Sequence, residues 1–342
     1  MKIATSFPTT GEYAEYGLGF TEAVKIKVDE ANADEANTQY KFEVVTYDDK
    51  LSGDESASIA ELVSHDEDVV AVVGGYSSAV IMAATPVYQE NGLVCISPSA
   101  SHPDYTKEGD YIFRNSLLVE DEAVAAVNAM SDYLKCKRIG ILAIQTEWGQ
   151  STAVTVRALA EAKGMEIAAY DEILMESDDY GVPIAKFRNA DIDGVFVVGI
   201  SSTLVPLAIQ YRAVDPDIPI VSFSDTYNPE TLELGGDSVN GVVFPLAYTN
   251  ESERPQAVRF RSEFETRLSR LPEVVAAQSY DAAGMIIESV LRVGPDRAAV
   301  RDYLADIVYD GAVGEISFNE ERSVQLDLYI GQIQDGKFVI VE

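Results

Sequence analysis

The chain has 342 residues, too many for one average domain and enough for two. Hydrophobic residues make up 47% and charged residues 24%, so a packed core is available and wholesale disorder is excluded. With 57 acidic against 25 basic residues the formal net charge is -32, and such a surface repels phosphate and anionic lipid, which excludes nucleic acid and membrane faces as natural partners.

Strand-like and helix-like segments alternate from the start. Lys2-Ile3-Ala4 opens a strand, and Phe20, Val24, Val28 and Ala31 are spaced for one face of a helix. Phe42 to Tyr47 reads as a strand, and Ser52-Gly53-Asp54-Glu55 as a capping box opening the next helix. Val69 to Gly74, Leu93 to Ser97, Lys137 to Ile144, Gly194 to Gly199 and Ile218 to Phe223 are apolar runs without polar alternation. Such runs suit parallel strands buried on both faces, and their alternation with helices predicts α/β layers. Asp68 to Gly74 is echoed by Asp193 to Gly199: an acid, an apolar strand, a glycine, then serines. Two similar lobes would explain the echo. No long Pro/Gly/Ser linker separates them, which favours short crossovers.

Few residues carry catalytic or metal chemistry. Gly17-Leu18-Gly19 has Glu22 where a dinucleotide fingerprint requires glycine, and Ala79 breaks the nucleophile-elbow pattern at Gly75-Tyr76-Ser77-Ser78. His65 and His102 are the only histidines, and neither follows the hydrolase order. Cys95 and Cys136 read as two unrelated thiols rather than a bridge, and no ligand spacing for a metal exists. No cofactor is expected, and a binding protein is favoured over an enzyme. No apolar run reaches the ~18 residues of a membrane span. The sequence starts without a secretory leader; a leader removed from the chain leaves a periplasmic or extracellular location open. Acid-rich, lysine-poor surfaces also occur in halophiles, where salt screens self-repulsion.

The loops after the strands are rich in small polar groups: Tyr76-Ser77-Ser78-Ala79, Ser97-Pro98-Ser99-Ala100-Ser101, Thr146-Glu147-Trp148-Gly149 and Ser224-Asp225-Thr226-Tyr227. In open α/β sheets ligands bind outside the carboxyl ends of the strands. Hydroxyls and N–H groups there suit a carboxylate; an aromatic wall with one acid suits an apolar, cationic or zwitterionic small molecule. Each serine alone reads better as a helix cap, and Trp148 as core; the four loops together point to a pocket.

At these residues the sequence resembles the type I periplasmic solute-binding proteins, specifically the leucine/isoleucine/valine-binding branch. The likeness runs through Pro8 to Gly17, Tyr47-Asp48-Asp49-Lys50, Val72 to Ser78, Ala84-Thr85-Pro86, Ile96 to Ser101, Phe113-Arg114-Asn115, Tyr280-Asp281-Ala282 and Gly331 to Lys337. It implies two Rossmann-like α/β lobes, 1–116 with 248–323 and 117–247 with 324–342, joined by three crossovers near Ser116, Ala247 and Ser323. It implies a ligand held between the lobes, hinge closure, and delivery to an ABC permease from the periplasm or cell surface, with lipid anchoring one option. By resemblance, Ser78 and Ser99-Ala100-Ser101 grip a carboxylate without a buried cation. Asp225 receives an ammonium, and Tyr16, Tyr76, Trp148 and Ile200 line the pocket. Trp148 stands where tyrosine is frequent, and Ile200 where a more polar or aromatic residue often occurs. These departures favour an apolar amino acid. An aromatic or aliphatic carboxylate, a small amide, or a sensory role on the same fold are the alternatives.

Overall fold

The computed structural model describes residues 1–36, 39–174 and 177–341, the side chain of Glu147 excepted. It divides into two compact units, Met1–Leu118 with Tyr248–Asp327, and Val119–Ala247 with Leu328–Glu342.

The first unit is built on a five-stranded parallel sheet. Its strands are β1 (Lys2–Phe7), β2 (Glu43–Asp48), β3 (Val69–Gly74), β4 (Val94–Ser97) and β5 (Ile112–Arg114), in the order β2-β1-β3-β4-β5. Helices α1 (Ala14–Ala33), α2 (Gly53–Ser64), α3 (Ser78–Met82) and α4 (Thr85–Glu90) connect them. Every residue of β3 is buried, as an apolar run flanked on both faces requires. Ser52 caps α2 by accepting the Glu55 N–H, as the capping box predicts.

The second unit carries α5 (Val119–Asn128), β6 (Arg138–Ile144), α6 (Glu147–Ala162), β7 (Glu166–Ile173), α7 (Gly181–Asn189), β8 (Gly194–Val198), α8 (Ser201–Arg212), β9 (Ile220–Val221), α9 (Pro229–Gly235) and β10 (Val243–Leu246). In β6, Ile139, Ile141 and Ala143 pack against α5 and α6, while Leu142 and Ile144 face the layer of α7 and α8. This is the two-residue alternation of a strand covered on both sides. Within the apolar run 218–223, β9 begins only at Ile220, because Pro219 has no N–H to extend the ladder towards the N-terminus.

The chain then returns to the first unit through α10 (Pro255–Leu268), α11 (Val274–Val293), α12 (Arg297–Ala305), β11 (Tyr309–Asp310), β12 (Glu315–Phe318) and β13 (Val324–Gln325). Helices α1 and α11 cover one face of the first sheet; α2 and α4 cover the other. Val324, assigned from sequence to the second lobe, is buried in the first unit's core. Strands β14 (Tyr329–Gln334) and β15 (Lys337–Ile340) complete a seven-stranded sheet in the second unit, ordered β15-β14-β10-β9-β8-β6-β7. Chain direction across each sheet reverses between β1 and β3 and between β6 and β8. These are the switch points where open α/β sheets leave a crevice.

Candidate functional site

In the first unit, two loops meet at the carboxyl ends of β3 and β4. Ser97 Oγ accepts the N–H groups of Ser99 at 3.4 Å and Ala100 at 3.0 Å, and donates to the Gly75 carbonyl at 3.3 Å. Ser99 Oγ donates to the Tyr76 carbonyl at 2.9 Å. Ser78 Oγ accepts the N–H groups of Ser101 at 3.1 Å and His102 at 3.3 Å. The sequence reading offered the N–H groups of Ser99 and Ser101 to a ligand; instead the Ser97 and Ser78 hydroxyls accept them. Ala100 is fully buried, and its carbonyl accepts from Ser116 Oγ, so it presents no group outward. Two donors fill the acceptor positions of Ser78 Oγ, which therefore retains its O–H proton as the group to offer. Ser101 is exposed, and its hydroxyl makes no hydrogen bond among the described residues.

A buried cation also lies behind this loop, contrary to expectation. Arg114 is 1% exposed, and its Nη1 donates to the carbonyls of His102 at 2.8 Å and Ala100 at 3.5 Å. The His102 ring does not serve Ser78: its Nδ1 accepts the Asp104 N–H at 3.1 Å. That geometry lacks the serine–imidazole contact a hydrolase relay needs.

Tyr16 and Tyr76 do come together, stacked with ring centroids 5.9 Å apart and 13° between planes. Tyr13 and Phe20 extend the cluster at 5.5 and 5.6 Å from Tyr76. Burial within this cluster raises the Tyr76 phenol pKa, with Tyr16 adding to the shift.

In the second unit, Trp148, Ile200 and Asp225 follow β6, β8 and β9, adjacent strands at the switch point. Thr146 caps α6 by accepting the Gly149 N–H at 3.0 Å, which fixes the turn carrying Trp148. The Trp148 ring meets Phe223 edge-on at 6.0 Å. Ile200 is partly exposed at the N-terminus of α8. Asp225 lies in a 3₁₀ turn, Ser224–Thr226. Its Oδ2 accepts the Ser201 N–H at 2.5 Å and the Ser201 hydroxyl at 2.7 Å. Asp225 thus caps α8, which precedes it in the chain, whereas the helix that follows is capped by Asn228. Its other oxygen, Oδ1, makes no hydrogen bond among the described residues.

Sequence reasoning missed Glu122. From the first turn of α5 its carboxylate accepts the Ser224 N–H at 3.1 Å, anchoring the turn that carries Asp225. Burial raises the Glu122 pKa, against hydrogen bonds from Ser224 that lower it. In sequence it is one of three consecutive first-turn acids, Glu120, Asp121 and Glu122, with nothing to single it out. Among the described residues no group of three or more His, Cys, Asp or Glu is arranged to hold a metal.

The sequence profile of periplasmic binding proteins matches residues 1–337. The chain belongs to the periplasmic binding protein family. Within it the chain falls in the type I, leucine/isoleucine/valine-binding branch, whose members are solute-binding transport receptors rather than enzymes. A leucine-, isoleucine-, valine-, threonine- and alanine-binding protein of Pseudomonas aeruginosa is 24% identical over 327 residues, covering 95% of this chain and 87% of that protein. A candidate branched-chain amino acid ABC transporter structure from Rhodospirillum rubrum superposes with a TM-score of 0.92 at 27% identity, over 100% of this chain and 99% of the other. A solute-binding protein from R. palustris, in complex with 4-hydroxybenzoate, shares the fold with a TM-score of 0.79 at 19% identity, over 100% of this chain and 95% of that one. As a periplasmic binding protein, this chain carries its polar loops at the strand ends where both sheets switch direction.

Proposed function

We propose that this protein is the solute-binding receptor of an ABC transporter, working outside the cytoplasm, and that it captures an amino acid with an apolar side chain. In this reading the first unit receives the carboxylate through the Ser78 and Ser101 hydroxyls. The second unit receives the ammonium at Asp225, beside the apolar Trp148, Phe223 and Ile200. The two units close on the ligand and present it to a permease.

The observation that carries the reading is the opposite polarity of the two loop sets. One ends in hydroxyl protons, the other in a carboxylate with one oxygen unengaged among the described residues. A zwitterion complements both. The name of the Pseudomonas aeruginosa relative supports the same class. The stacked Tyr16 and Tyr76, with the R. palustris complex, favour an aromatic carboxylate as the second reading.

Mass spectrometry of ligand released from the unfolded protein, followed by a thermal-shift screen of amino acids and organic acids, separates the two. A ligand at ~100 times its Kd adds roughly 2.7 kcal/mol of stability. Stabilisation by benzoates but not by amino acids would reverse the order of the readings.

A further inference from the structure

The Phe113-Arg114-Asn115 segment has no assigned role in the carboxylate site, yet Arg114 reaches its supporting loop from behind. We propose that Arg114 is a positioning residue for carboxylate capture, acting through the Ala100–Ser101 peptide on the Ser78 hydroxyl; the inference rests on the proposal that the first unit receives the ligand's carboxylate.

The Ala100 carbonyl and the Ser101 N–H belong to one peptide plane, and in a trans peptide they point in opposite directions. On the carbonyl side stand two donors, Ser116 Oγ at 2.8 Å and Arg114 Nη1 at 3.5 Å. On the N–H side stands Ser78 Oγ at 3.1 Å. The same guanidinium nitrogen donates to the His102 carbonyl at 2.8 Å, bracketing the peptide between Ser101 and His102, whose N–H also donates to Ser78. Arg114 is itself held by Ser323 Oγ at 3.2 Å, Thr106 Oγ1 at 3.4 Å and the face of Tyr105.

Hydrogen bonds in series polarise one another. A cation on the carbonyl side of the Ala100–Ser101 peptide strengthens the Ser101 N–H donor on its far side. That donor draws electron density from the Ser78 oxygen and makes its O–H the better donor to an anion. The buried charge also adds a favourable field for a carboxylate in low-dielectric surroundings, though the ligand never touches it. A loop that looks neutral from outside is therefore backed by a cation.

The test measures Kd by calorimetry for L-leucine, which has a carboxylate, and for L-leucinamide, which lacks one. The proteins are wild type, R114Q, S116A, S78A and R114Q/S78A. R114Q is expected to weaken leucine by about tenfold or more, and leucinamide by less than about twofold. In the S78A background the R114Q effect on leucine should shrink to less than about threefold, because the relay ends at Ser78. Equal losses for the two ligands, or full additivity of R114Q and S78A, would overturn the proposal. If R114Q does not fold, S116A decides: it leaves the charge in place and removes the nearer donor to the same carbonyl. A selective loss of leucine affinity supports the relay, and unchanged affinity overturns it. If wild type ignores leucine, benzoate and benzamide replace the pair. The amino-acid reading then fails, while the selectivity of R114Q between benzoate and benzamide still decides the role of Arg114. If wild type binds no carboxylate at all, both fall.

Discussion

Replacing Asp225 by Asn separates its two duties. The carboxylate caps α8, a 12-residue helix, through the Ser201 N–H and hydroxyl, both on Oδ2. An amide oxygen can still accept there. What the cap loses is charge at a helix N-terminus, about 0.3–1 kcal/mol, which lowers the melting temperature by roughly 1–4 °C. The ammonium duty depends on the charge itself. If closure desolvates the pair, removing one member costs about 3–5 kcal/mol, or roughly two to three and a half decades of affinity. Asp225 is exposed in this structure, and if it stays so in the complex the loss is at most about 1 kcal/mol, some fivefold. The size of the loss therefore reports whether the acid is buried with its ligand. The assay is calorimetry with leucine and with 4-methyl-2-oxopentanoate, its deaminated counterpart, on wild type and D225N. The expected outcome is a loss of two decades or more for leucine and a far smaller one for the oxo acid. Unchanged leucine affinity would refute the amine assignment and bring the carboxylate ligand forward.

Four further outcomes are expected. Ser101→Ala removes a hydroxyl that makes no hydrogen bond among the described residues, so melting should be unchanged while carboxylate affinity falls about tenfold; wild-type affinity in titrations would return Ser101 to a loop residue. Asp281 is fully buried, accepts the Ala312 and Val313 N–H groups at 2.7 and 2.9 Å, and has a pKa pushed up to about 7 by burial. Because the folded pKa exceeds the unfolded one, its contribution is complete below about pH 4 and is lost as pH rises towards 7; urea titrations should show wild type losing stability across that range relative to Asp281→Asn, on the order of 1–4 kcal/mol, and parallel curves would exclude the coupling. With a net charge of -32, the melting temperature should climb between low and molar salt, and a flat profile would remove self-repulsion as a significant term. Solution scattering should give a smaller radius of gyration at saturating ligand, and identical profiles with and without it would count against hinge closure.

Much of the scaffold was legible in the sequence because buried parallel strands leave a plain signal. The runs 69–74 and 194–199 became β3 and, one residue shorter, β8, and the echo between them has a structural basis: each is the strand just past the switch point of its sheet. Boundaries were less legible where a single residue decides them, as Pro219 does for the start of β9. The polar loops were readable in composition but not in allocation. That Ser97 takes the N–H groups of residues 99 and 100 is a local turn, but that Ser78 takes those of residues 101 and 102 depends on two loops more than 20 residues apart meeting in space. Asp225 capping a helix that begins at Ser201 is a non-local fact of the same kind, as are the positions of Glu122 and Arg114.

Those non-local bonds bear on how the loops could bind at all. A ligand that had to break a hydroxyl or N–H contact to make its own would gain little, since the net value of an exchanged hydrogen bond is only about 1 kcal/mol. In each unit the loop's internal bonding leaves something over. In the first, the Ser78 oxygen is saturated by two N–H donors and its proton is unspent. In the second, one oxygen of Asp225 takes both donors from Ser201 and the other takes none among the described residues. A group held by bonds the ligand does not disturb has already lost its rotational freedom, so binding need not meet that entropy again. Substitutions that loosen these supports should therefore weaken binding even where the contacting atom is retained, and Ser201→Ala, which removes a support of Asp225 and leaves its carboxylate in place, is the direct instance.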